Sequence, residues 1–166
     1  MKNLTDIETE KVYKIVKSFD EGLLVNPQEE WEQDYYDEKL LDKKGLKQIL
    51  KKIKSSMPKI SINHAEKEVL VRKYDTFNNI IDKNVDRNVT KAFNNRLALD
   101  IEYFSMEKAE FTKRKVDIYA KNSKYIAGYC HSRNAIRKFR ISRIGKAKIS
   151  TNKYEIPNNF NKKDYL

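Results

Sequence analysis

Between Lys124 and Ile144 the chain reads KYIAGYCHSRNAIRKFRISRI, with six lysines and arginines and not one carboxylate. Arginine carries a planar fork that matches phosphate oxygens, and tyrosine offers a flat ring on which a base can stack. Arg137, Arg140 and Arg143 recur at every third position, with Lys138 among them and Tyr125 and Tyr129 just before. Residues of these types suit the holding of non-duplex nucleic acid or a nucleotide-like anion. The plainer alternative is a basic strand edge that deters edge-to-edge aggregation.

The run also alternates apolar and polar residues as a strand does. From Ile136 to Ile144 that alternation sends Phe139 and Ile141 to a core, and Lys138, Arg140 and Ser142 to the opposite face. Arg137 and Arg143 share the core-side parity at the two ends, where the rim of a barrel lets their heads reach outward.

Charge bookkeeping singles out the same region. The net charge is +11, yet residues 118–154 hold ten basic residues and no acidic one, while the other segments nearly balance. Four of the eight arginines fall between Arg133 and Arg143. A cluster of like charge repels itself, so its concentration calls for a counter-ion or ligand.

Other chemistries fare worse. Cys130 and His131 supply two ligands where a structural zinc needs four, and His64 falls in an expected turn, so no metal or other cofactor is expected. Cys130 lies at a strand end without a spaced His–Asn/Asp partner, which makes it a small packing residue. Four scattered glycines build no phosphate-cradling loop. The carboxylates of NPQEEWEQDYYDEKLLD read as a solvated helix face or as a docking surface for a basic partner, including a second copy of the chain. The expectation is a binding protein and not an enzyme. No apolar run approaches the roughly 18 residues that span a bilayer, no secretory signal precedes the first helix, and one cysteine suits a reducing compartment. A soluble, cytoplasmic chain without membrane contact is expected.

The elements that must position these residues fall into two halves. Thr5-Asp6-Ile7-Glu8 is a capping box and opens a helix that runs to Gly22. Asn26-Pro27 starts a second. KKGLKQILKKIKSSM forms a third, with Leu46, Ile49, Leu50 and Ile53 on one face and lysines on the other, stopped by Pro58. In KISINHAEKEVLVRKY, two alternating runs (Lys59–Asn63 and Glu68–Lys73) predict a hairpin. Three helices and a hairpin follow the order of a winged helix, with the third as recognition helix. A packing or dimerisation element with a solvated lysine face fits equally well. After a helix over Val85–Asn95, the strands RLALDIEYFS, RKVDIYA, KYIAGYC, IRKFRIS and KAKIS crowd together, as in a small barrel. The expected division is residues 1–80 and 81–166.

The segments IEYFS, RKVDIYAKNSKYIAGYCHSRNAIRKFRISRI and YEIPNNFNKKDYL, in that order, resemble the WYL domain, a small Sm/SH3-like barrel of prokaryotic regulators. Tyr103 closes the first strand of that pattern, and Arg114 opens its Arg-Val-Asp-Pro-Tyr strand. Lys124-Tyr125-Ile126 stands for Trp-Tyr-Leu, Arg137 to Ile144 for the arginine run, and Pro157, Phe160, Tyr165 and Leu166 for the close. Lys124 replaces Trp, Ile118 replaces Pro and Ser142 replaces Asp, the last removing the one acid within the arginine run. The resemblance implies a ligand-sensing module, attached in many family members to a helix-turn-helix, whose ligand in several cases is single-stranded DNA. Tyr103, Arg114, Tyr125, Tyr129, Arg137, Lys138, Arg140 and Arg143 become the candidate contacts. The expected class is α+β, a helical N-terminal region with a degenerate winged helix followed by an Sm/SH3-like barrel. Two functions stay open: a transcription regulator, homodimeric or not, and an accessory module docking on a larger effector such as a CRISPR enzyme.

Overall fold

The Thr5 hydroxyl accepts the Glu8 N–H at 3.3 Å while the Glu8 carboxylate accepts the Thr5 N–H at 2.8 Å, so the capping box forms as its spacing requires. It opens α1 (Asp6–Asp20). The computed structural model describes residues 4–23, 43–75 and 80–166, and the helix expected after Asn26-Pro27 lies outside them. The chain divides into two units, Met1–Lys73 and Tyr74–Leu166.

In the first unit, α2 (Lys43–Ser55) is followed by α3 (Lys59–Tyr74). Pro58 separates them: its carbonyl accepts the first helical bond of α3, from the Ile62 N–H at 3.1 Å. The expected hairpin over residues 59–73 is therefore corrected to a helix, which also puts His64 in a helix and not in a turn. The connection His64-Ala65-Glu66-Lys67 holds none of the glycine, asparagine or proline that a tight turn needs, and Ile62, Ala65 and Val69 bury at helical spacing. Among the described residues no strand follows α2 as a wing. Tyr13, Leu50, Met57, Ile62 and Ala65 form the core of this unit, with Val16 and Ile53 against it.

Ion pairs tie its helices together. Lys14 reaches Glu10 at 2.8 Å and Glu68 at 2.5 Å, and Glu66 accepts from both Tyr13 and Lys54. Glu21 is paired with Lys17 and Lys73. Burial works to raise the Glu21 pKa, but the bonds from these two lysines outweigh it and hold the carboxyl below its ordinary range.

The second unit begins with α4 (Lys83–Asn95), capped by Asp82, whose carboxylate accepts the N–H groups of Asn84 and Val85. Five antiparallel strands follow: β1 (Leu97–Ser105), β2 (Glu110–Lys121), β3 (Tyr125–Cys130), β4 (Ala135–Arg140) and β5 (Ile144–Lys153). They pair in the order β4-β3-β2-β1-β5. β4 and β5 stand at opposite ends of that order, yet only the 3₁₀ turn Ile141–Arg143 joins them. Four flat strand spacings measure about 19 Å, and the four steps from Arg140 to Ile144 reach at most about 14 Å. The sheet must curl. The bulges in its ladders, between Ile118 and Ala120 among others, supply the bend.

A second contact records the same closure. The Tyr103 hydroxyl on β1 accepts the backbone N–H of Arg140 on β4 at 3.3 Å, across three positions of the sheet order. The α+β expectation with a small barrel thus holds, and Leu99, Ile101, Val116, Ile118, Ile126 and Phe139 fill the inside. Val85, Val89 and Ala92 of α4 join that core, and Asn88 donates to the Ala147 carbonyl of β5 at 2.9 Å.

The β1–β2 turn ends on Ala109 at φ 50°, a left-handed conformation that costs a residue with a Cβ. Ala109→Gly should stabilise the barrel by about 0.5–1 kcal/mol, read as a raised denaturation midpoint. A lowered midpoint would mean that the Ala109 methyl packs usefully.

Candidate nucleic-acid interface

β3 supplies the aromatic residues and β4 the cations. Along β3, Ile126, Gly128 and Cys130 are buried on one side; on the other, Tyr125 and Tyr129 are half-buried and the small Ala127 between them is covered. In the β3–β4 ladder Tyr125 stands opposite Arg140, Ala127 opposite Lys138, and Tyr129 opposite Ile136. Directly opposed residues of an antiparallel pair point to one side. Tyr125, Tyr129, Lys138 and Arg140 therefore share the outer face. The Lys138 ammonium lies 4.3 Å from the centroid of the Tyr125 ring, in cation–π geometry.

The other candidates are dispersed. Arg137 is exposed but stands opposite Gly128, on the other parity from Arg140. The three arginines of the run thus do not form one continuous surface. Arg143 sits in the 3₁₀ turn, and its Nε donates to the Tyr74 carbonyl at 3.2 Å. Tyr103 packs edge-on against Phe139 at 5.1 Å, and its hydroxyl is engaged by Arg140. Arg114 donates to the Ser132 hydroxyl at 3.0 Å near the β3–β4 turn. Ser142, expected on the outer face, is corrected: alternation ends at Arg140, and in the 3₁₀ turn its hydroxyl oxygen is buried with no hydrogen-bond partner among the described residues.

One acid borders the patch. Asp117, opposite Tyr129, is buried and pairs with His131 at 2.9 Å, while the His131 ring meets Tyr129 edge-on at 5.3 Å. Its charge is thereby turned toward an imidazole. Burial, and after it the Asp117 carboxylate, pushes the Tyr119 pKa up and keeps that phenol neutral. Cys130 is buried at the end of β3, as its role in packing requires. Among the described residues no group of three or more His, Cys, Asp or Glu could hold a metal, and no helix is long and apolar enough to cross a membrane.

Sequence reasoning missed a second basic feature. Asp100 lies between Lys115 and Lys148, and Glu102 between Lys113 and Lys146, in two cross-strand rows over β2, β1 and β5. Lys146 pairs with Glu102 at 3.2 Å. The signal was present as the alternation of Lys113, Lys115, Lys146 and Lys148, but only the register shows which acids they flank.

Residues 85–149 match the family model of the WYL domain, so the resemblance carried by the strand motifs is borne out over that stretch. The closing motif lies beyond it. There Phe160 stacks on Tyr165 at 5.5 Å and meets Tyr119 edge-on at 5.3 Å. No curated protein matches the chain. Among solved structures, the chain is similar to proteasome accessory factor B/C (PafBC) of Arthrobacter aurescens, with 16% identity and a TM-score of 0.37 over 91% of this chain. The chain spans 21% of the length of that protein.

Proposed function

We propose that the second unit is a non-catalytic regulatory module that binds single-stranded nucleic acid, or a nucleotide-like anion, on the outer face of β3 and β4. The observation that carries this reading is the meeting of Tyr125, Lys138 and Arg140 on one face, within a stretch of ten basic residues and no acid. Aromatic platforms beside backbone cations are what strand binding without base readout needs. The WYL match supports a regulatory role through the resemblance described above.

The test is binding of the purified chain to single-stranded DNA, RNA and duplex over a salt series. Replacing Lys138 and Arg140 together with alanine should lower single-strand affinity on the order of tenfold at low salt. It should flatten the salt slope by about 1.4, since each phosphate contact adds about 0.7. An unchanged slope would overturn the site. Binding to duplex promoter DNA favours the transcription regulator, and indifference to duplex favours an accessory module.

A further inference from the structure

Resting on the nucleic-acid reading of this face, we propose that Lys138 is a specificity-determining residue that occupies the Tyr125 ring in the free protein and yields it only to a base carrying neighbouring phosphates. Tyr125 is half-buried on β3, so its ring has limited exposed surface. Arg140 stands directly opposite it, and Lys138 stands one non-adjacent step along the same face. That step is a diagonal cross-strand contact, within reach of a long side chain. The Lys138 ammonium is 4.3 Å from the ring centroid, so a base that stacks on this ring face must first displace a cation.

The displaced ammonium needs a destination. A free nucleoside offers none but water, and the lost cation–π contact offsets part of the stacking gain. A strand offers a phosphate next to the stacked base, and the ammonium moves from ring to phosphate while the base takes its place. Base stacking and phosphate binding are thereby coupled through one side chain. The substrate class is an oligonucleotide strand, and nucleosides are disfavoured although the ring that would stack them is present. Asp117, the acid that borders this face, is paired with His131 and not with Lys138.

The experiment compares a short oligothymidylate with an abasic strand of the same length, at low salt, for the unmodified chain and for Lys138→Ala and Tyr125→Ala. For the unmodified chain the oligothymidylate should bind more tightly than the abasic strand. Lys138→Ala should weaken the abasic strand, and should enlarge the ratio between the two strands about two- to fivefold because the ring is now vacant. Tyr125→Ala should abolish this site's share of the ratio while leaving the abasic strand bound as tightly or slightly more so. If Lys138→Ala weakens both strands by one common factor, Lys138 is only a phosphate contact and this proposal is overturned, with nucleic-acid binding intact. If neither strand binds the unmodified chain, the underlying reading falls and this proposal with it. Both side chains project from the outer face, and an unchanged thermal midpoint verifies that the variants fold.

Discussion

Gly128→Ala should destabilise the barrel by at least about 3 kcal/mol and lower its melting temperature by about 12 °C or more. A Cβ at this position would sit 2.0 Å from the Asp117 carbonyl oxygen, 2.9 Å from its carbon and 3.0 Å from the Ile118 Cα. All three are backbone atoms, so no side chain can swing away to make room. The β2–β3 ladder would have to part just where it bulges after Ile118. The same movement would carry Tyr129 and Asp117 with it, so strand binding should fall along with stability. Hydrogen exchange at the amides of β2 and β3 reads the effect directly. Gly22 provides the contrast: nothing lies within 4 Å of its Cβ site, and only its φ of 72° favours glycine. Gly22→Ala should cost about 1–2 kcal/mol. A Gly128 variant that melts within a few degrees of the unmodified chain would show that the strands have slack that the structure denies them.

Phe104→Ala comes next, at about 3–5 kcal/mol. Phe104 is fully buried, stacks on Tyr74 at 4.8 Å and meets Phe111 edge-on at 5.3 Å. Phe111 is 38% exposed, so Phe111→Ala should cost distinctly less. Beyond the cavity, the change reaches the turn between β4 and β5, because the Tyr74 carbonyl accepts from Arg143 there. Loosening Tyr74 should release Arg143, and chemical denaturation of the paired variants measures the ordering. Equal losses for Phe104 and Phe111 would contradict the burial difference on which the argument rests.

Much of the second unit could be read from its residues, because strand alternation and turn residues are local signals. Leu97, Leu99 and Ile101 alternate with Ala98 and Asp100, and β1 lies where that pattern puts it. The 3₁₀ turn at Ile141–Arg143 was not legible, since Ile141 continues the apolar beat of Phe139 while the chain is already turning. For that reason the expected outer face ran two residues too far, to Ser142. In α3, Ile60 and Ile62 mimic a strand, yet Ile60 is 79% exposed and Ile62 is buried. Two isoleucines two apart satisfy a strand on paper and fall on different sides of a helix in fact. Individual cations of the site were identifiable by type, but their grouping was not. Which arginine shares a face with Tyr125 depends on cross-strand register, and register is set by bulges that no local pattern announces.

The three-residue link between β4 and β5 has a mechanical consequence. β4 can move outward only by the few ångström gained in straightening this 3₁₀ turn before it pulls on Ile144, the first residue of β5. β5 in turn carries the Ala147 carbonyl that receives Asn88 of α4. The link acts as a short tether with a few ångström of give. A pull on the outer face of β4 would first straighten this turn and only then reach β5 and, through Asn88, α4, so the turn sets how far β4 can give before the helix is loaded.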